Sequence, residues 1–120
     1  MQYLPIFADL NAKSVLLVGG GHVALRKART LLQAGAALSV VAKEFAPEFV
    51  QWQQQQQVKL IGAEFSPDLL AGHWLVIAAT DDDDLNALVH QAATAQQIWV
   101  NTVDDQSKCE FIFPSIIDRS

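Results

Sequence analysis

Residues 14–35, SVLLVGGGHVALRKARTLLQAG, decide the fold of this chain. Val15, Leu16, Leu17 and Val18 form an unbroken apolar run, the pattern of a strand covered on both faces of a parallel sheet. Gly19, Gly21 and Ala24 then satisfy G-x-G-x-x-A where a strand turns into a helix. In that arrangement the first small residue permits a tight turn and the second lets a pyrophosphate approach the backbone. The third lets helix and strand pack closely. Amides at the start of the helix point at the anion, and the helix dipole assists them. Leu25, Ala28, Leu31 and Leu32 share one helical face, and Gly35 stands where the helix should stop. Three glycines also fit a tight turn with no ligand; the strand-turn-helix context is what points to a dinucleotide.

Such a site calls for an acid about twenty residues further on, to hold the ribose 2′-OH. The next strand, residues 37–42, ends without one, and Lys43 and Glu44 follow directly. Glu44 fits NAD and Lys43 leaves NADP open. Residues 47–57 read as a second helix with Phe45, Phe49 and Trp52 on its apolar side, ending in a solvated run of glutamines, Gln53 to Gln57. Residues 58–61 form a short third strand. A helical turn over 66–72 follows, with Ser66 as cap, Pro67 early and Gly72 as stop. Residues 73–79, HWLVIAA, form the fourth strand. Upstream, residues 2–9 read as a short extended segment that Pro5 keeps at the periphery.

Thr80 and Asp81 stand at the C-terminal end of the fourth strand, the ligand side of an open α/β sheet, and are candidates for cofactor contact. Asp81 to Asp84 also read as the opening of a helix, where acids complement the dipole. A metal cage is the competing reading, but metals favour spaced ligands. Leu85, Leu88, Val89 and Ala92 give that helix its expected buried face. Residues 98–102 form a fifth strand, and residues 110–113 a sixth. The order of elements predicts an α/β fold: a Rossmann-like, doubly wound parallel sheet of order 3-2-1-4-5, in a single domain over residues 1–120.

With 120 residues, 51% hydrophobic and 18% charged, the chain has the makings of one real core. A formal net charge of −5 argues against non-specific nucleic-acid binding. No apolar run is long enough to span a bilayer, and MQYLPIFADL lacks the basic start of a secretory signal. The lone cysteine, Cys109, excludes an internal disulfide framework and fits a reducing cytoplasm.

No H-E-x-x-H, C-x-x-C, Walker A or G-x-S-x-G pattern is present, and the residues point to no metal site. His22 lies in the glycine turn and is a candidate cofactor contact, whereas His73 and His90 read as strand-end and helix-surface residues. Cys109 reads as an inert thiol. Carboxylates beside the cofactor are then the candidate acid/base groups. Asp104, just past the fifth strand, is the best placed, although a loop Asp also serves as a turn former.

Five segments together carry a resemblance: LPIFADL near the start, VLLVGGGHVALRKARTLLQAGA, WLVIAATDDDDLN, NTVDD and FIFPSIIDRS. In that order, and over essentially all of the chain, they resemble the N-terminal domain of the sirohaem synthase family. The resemblance implies NAD-dependent oxidation of precorrin-2 to sirohydrochlorin, then insertion of Fe²⁺ as substrate to give sirohaem. It maps an Asp implicated in both steps onto Asp104, behind Asn101 and Val103. Family cofactor contacts map onto His22, Val23, Lys43 and Glu44, with Val23 acting through its backbone amide. One carboxylate beside the macrocycle serves both steps as general base. Because an ordinary Asp is a feeble base at neutral pH, Asp104 is expected to be partly desolvated when the tetrapyrrole is bound.

The resemblance also implies a helical dimerisation segment, and often a methyltransferase domain, beyond Arg119-Ser120. The full-length protein is then expected to be a cytoplasmic homodimer. Lys108 and Arg119 are the few basic residues near the site for a polycarboxylate substrate. Much of the substrate pocket is therefore expected outside these residues, and the 120 residues alone should bind dinucleotide weakly and turn over little. Two alternatives stay open at this point: a non-catalytic dinucleotide-sensing module, and a structural α/β interaction domain.

Overall fold

A computed structural model describes residues 3–103 and Cys109. The expected sixth strand at 110–113, together with Asp104, Lys108 and Arg119, lies outside the described residues. The elements run β1 (Ser14–Val18), α1 (His22–Gln33), β2 (Ala37–Val41), α2 (Pro47–Gln54) and β3 (Val58–Gly62). A 3₁₀ turn (Pro67–Leu70), β4 (Leu75–Ala78), α3 (Asp83–Ala95) and β5 (Trp99–Thr102) complete them. The strands among the described residues are all parallel, in the order β3-β2-β1-β4-β5 expected from the sequence.

Why β1 is apolar without interruption is now visible. Side chains alternate across a strand, so Val15 and Leu17 join Ala24, Leu25, Ala28, Leu31 and Phe49 in a core under α1 and α2. Leu16 and Val18 join Leu70, Val89, Ala93 and Val100 in a second core under α3 and the 3₁₀ turn. A strand that feeds two cores has no polar face to offer. Each fully buried Leu contributes about 1.5–3 kcal/mol. Phe49 anchors α2, with Phe45 and Trp52 set edge-on to its ring at centroid distances of 6.1 Å and 5.6 Å.

The register brings the strand ends level. Val18 pairs with Val41 on one side and Ala78 on the other, and Ala78 pairs with Thr102. One further backbone bond extends each strand past its end. Gly19 N–H donates to Val41 O (2.9 Å), Ala79 N–H to Val18 O (2.8 Å) and Val103 N–H to Ala78 O (3.0 Å). The loops that follow therefore start from a common rim. At β1 the chain leaves for one face through α1, and at β4 for the other through α3, so the crevice of a doubly wound sheet opens between them.

Several expectations shift by a turn or a residue. The helix over 47–57 stops at Gln54, because Gln56 takes a left-handed conformation (φ 61°). Ser66 stands at the start of the 3₁₀ turn, but its side chain makes no capping bond. Leu88 is 45% exposed rather than buried: Asn86 takes the inward position with Val89 and Ala93, which turns Leu88 outward. Residues 3–10 carry no regular secondary structure, and Leu4, Ile6 and Phe7 are exposed. No helix among the described residues is long and apolar enough to cross a membrane.

All three α-helices among the described residues end in the same device. The residue two past the helix is left-handed, and the two amides that follow the cap turn back into the last turn. Gly35 (φ 82°) does this after α1, where Ala36 N–H donates to Leu31 O at 3.1 Å. Gln56 does it after α2 and Gln97 (φ 59°) after α3, where Ile98 N–H donates to Ala93 O at 2.9 Å. A left-handed residue with a Cβ costs about 1–2 kcal/mol, partly offset in a glycine replacement by unfolded-state entropy. Gln56→Gly and Gln97→Gly should each stabilise the fold by about 0.5–1 kcal/mol, raising the thermal midpoint by roughly 2–5 °C. A melting curve followed by circular dichroism checks this.

Candidate functional site

The rim above β1, β2 and β4 bounds a cleft of about 1120 Å³. Gly19, Gly21, His22, Val23, Lys43, Glu44, Thr80 and Asp81, from three separate loops, all line it. Val103, the last described residue before Asp104, lines it too. Ala24 does not: it is fully buried behind the turn, where a small residue lets α1 sit close to the sheet. Asp104 itself lies outside the described residues, so its position relative to the cleft is not part of this geometry.

The three glycines have three different surroundings. Gly19 has φ +134°, and a Cβ there would fall 2.3 Å from the carbonyl oxygen of Ala79 at the end of β4. A Cβ on Gly20 would fall 2.1 Å from the carbonyl oxygen of Glu44, in the loop after β2. Gly20 also accepts a hydrogen bond from Ala46 N–H at 2.7 Å. Gly19 and Gly20 thus draw the loops after β4 and β2 against the turn. Around Gly21, by contrast, nothing lies within 4 Å of where a Cβ would be. Its backbone faces open space in the cleft, the approach that a diphosphate needs.

The helix ends on the cleft differ in the same sense. Gly21 caps α1 without a side-chain bond, and no acid sits in the first turn. The positive end of that dipole is therefore left for an external anion. At α3 the Asp82 carboxylate accepts from Asp84 N–H (3.0 Å) and Leu85 N–H (3.2 Å), and Asp83 and Asp84 fill the first turn. The acidic run is thus a helix cap, as its position implied. Among the described residues no group of His, Cys, Asp and Glu is placed to hold a metal ion.

Lys43 and Glu44 are exposed on a loop held at both ends, by Gly20 on one side and by the Phe45 ring against Phe49 on the other. Thr80 is held more tightly than its type implied. Its hydroxyl donates to Asn86 Oδ1 at 2.7 Å and accepts from Asp82 N–H at 3.1 Å. The residues that sequence reasoning missed are Gly20 and Asn86. Gly20 carried the signal of a third glycine that the motif does not require. Asn86 carried the signal of a polar residue at a core spacing of α3. Cys109, expected to be inert, is half-buried and engaged: its thiol donates to Thr102 O (3.1 Å) and its sulfur accepts from Thr102 N–H (3.2 Å).

Comparisons with known proteins identify the family and the fold. Residues 6–115 match a family model described as "Putative NAD(P)-binding". Siroheme synthase 1 of Yersinia pestis (strain Pestoides F) is 58% identical over 120 residues, all of this chain and 25% of that protein. Siroheme synthase 3 of Aeromonas hydrophila is 54% identical over the same length, 26% of that protein. The chain therefore spans about a quarter of the length of the curated relatives it matches. Among solved structures, the precorrin-2 dehydrogenase SirC superposes with a TM-score of 0.83 at 28% identity, over 98% of this chain and 57% of SirC. The GsuK RCK domain, at 19% identity and a TM-score of 0.53, covers 85% of this chain and 24% of its own, and shares the fold.

Stability separates the glycines. Overpacking against backbone costs about 1–3 kcal/mol, so Gly19→Ala and Gly20→Ala should each lower unfolding free energy by about that amount in denaturant titrations. Gly21→Ala should cost about 1 kcal/mol or less, the difference between a good and a poor N-cap.

Proposed function

The chain belongs to the NAD(P)-binding family, and on that premise we propose that it is the dehydrogenase part of a sirohaem synthase. In this reading it oxidises precorrin-2 to sirohydrochlorin, and the longer protein then inserts Fe²⁺, a substrate, to give sirohaem. The single observation that carries the reading is the turn after β1. It has open space at Gly21 above an uncapped helix start, in a chain 58% identical to the matching part of a siroheme synthase.

The residues fit the cofactor class. The diphosphate is assigned to the backbone of Gly21, His22 and Val23, where the uncapped α1 dipole favours an anion. Lys43 and Glu44 are assigned to the ribose of the adenosine half, and Thr80 and Asp81 to the other side of the crevice. When bound, a nicotinamide dinucleotide supplies the hydride acceptor. Asp104 is assigned as general base: its carboxylate takes the proton that must leave the substrate as the hydride departs. The same carboxylate takes pyrrole N–H protons when the metal enters. Homodimerisation belongs to the longer chain, as do most of the basic residues that meet the substrate's carboxylates beyond Lys108 and Arg119. The lone thiol, held as a thiol against Thr102, fits the reducing cytoplasm.

Two variants of the full-length protein test the assignments. Gly21→Val puts a side chain where the chain itself has nothing within 4 Å. It should leave the fold intact and weaken NAD⁺ binding about tenfold or more, a loss of at least ~1.4 kcal/mol, by calorimetric titration. Asp104→Ala should keep NAD⁺ affinity within about twofold. It should lower turnover of precorrin-2, followed by tetrapyrrole absorbance, by roughly 10²–10⁴-fold, the usual worth of a general base. Undiminished turnover would remove Asp104 from the mechanism, and unchanged NAD⁺ affinity in Gly21→Val would remove the diphosphate from the turn.

A further inference from the structure

We propose that Asn86 is a positioning residue for the dinucleotide: it acts through Thr80 by holding the β4–α3 turn in its binding shape. This rests on reading the cleft as the dinucleotide site. Asn86 lies on α3, outside the cleft lining, and is only 4% exposed. Its carboxamide meets both backbone groups of one residue. Oδ1 accepts from Thr80 N–H at 3.2 Å, and Nδ2 donates to Thr80 O at 3.0 Å. Oδ1 also accepts the Thr80 hydroxyl at 2.7 Å.

The placement gives these bonds their meaning. The sheet ladder ends one residue earlier, where Ala79 N–H donates to Val18 O. Past that point Thr80 has no ladder partner among the described residues, and the Asn86 side chain pairs with its backbone as a strand would. Ala79, immediately before, is the residue whose carbonyl lies against Gly19. Asp81, immediately after, lines the cleft. One buried amide therefore sets the path of the chain between the phosphate turn and the far wall of the crevice.

The bonds also decide what Thr80 can offer. Its hydroxyl has two acceptors within the turn, Asn86 Oδ1 at 2.7 Å and Asp82 O at 3.0 Å, and its oxygen accepts from Asp82 N–H. The Thr80 hydroxyl is thus satisfied within the turn, and Asp81 and Asp82 are the carboxylates that line the cleft beside it. The role needs a donor and an acceptor on one short side chain. An ionised Asp lacks the donor for Thr80 O and would bury a charge beside the acidic run, while a protonated Asp has both groups.

The test uses the full-length protein and NAD⁺ titrated calorimetrically, which reads affinity and the number of competent sites separately. Asn86→Leu keeps the branched shape and removes all three bonds; it should weaken NAD⁺ binding about tenfold or more with the site number unchanged. Asn86→Asp should be as weak as Asn86→Leu, relative to wild type, at about pH 8. It should recover to within about threefold of wild type at about pH 5, as the introduced carboxyl, raised by burial, takes up its proton. Wild-type affinity in both variants at both pH values overturns the proposal. So does a loss of competent sites at unchanged affinity, or failure of both variants to fold, since either makes Asn86 a core residue only. A wild-type protein that binds neither NAD⁺ nor NADP⁺ instead overturns the reading of the cleft.

Discussion

Everything at the cleft depends on backbone touching backbone. Gly19 lies against the carbonyl of Ala79 and Gly20 against that of Glu44, at distances that leave no room for a Cβ. These two contacts join three loops that are far apart in the chain and leave from different strands. Packed atoms do not yield to an extra methyl without a shift elsewhere. The site's shape is therefore set by the absence of side chains, and the residues that line the cleft are placed by it.

Electrostatics follow from how the helices begin. The chain is acidic, with a formal net charge of −5, yet its acids are distributed with effect around this rim. Asp82, Asp83 and Asp84 satisfy the start of α3, while α1 opens with Gly21, His22, Val23 and Ala24 and no carboxylate. Two helix dipoles point toward the same crevice, and one of them has been neutralised from within. An anion entering the cleft meets one uncompensated positive end, which specifies where its charge settles. The held loop carrying Lys43 and Glu44 then faces whatever extends from that point.

The likeness to the siroheme synthases extends over the whole of this chain. At 28% identity, SirC keeps the fold over 98% of this chain. The present chain matches only about a quarter of its curated relatives' length, and the cleft at the glycine turn is lined by residues of this quarter.

Much of this was legible in the amino-acid sequence, because the signals are local. An uninterrupted apolar strand, glycines at a fixed spacing and a 3.6-residue period state β1, the turn and α1 directly. The alternation of strands and helices, with right-handed crossovers, leads to the order β3-β2-β1-β4-β5. Candidate cofactor residues could be picked out by their place just past strand ends. What tertiary structure alone decided is where hydrogen-bonding groups and excluded volume meet across the fold. Gln56 and Gln97 end helices in a conformation that composition assigns to glycine, since the next strand must start at once. Leu88 faces outward because Asn86, a polar residue, holds the inward position to satisfy Thr80. Gly20 is indispensable for a carbonyl twenty-four residues away in sequence. Periodicity reports which residues can be buried; only the assembled backbone determines which polar groups would otherwise be left without partners, and those settle the final choice.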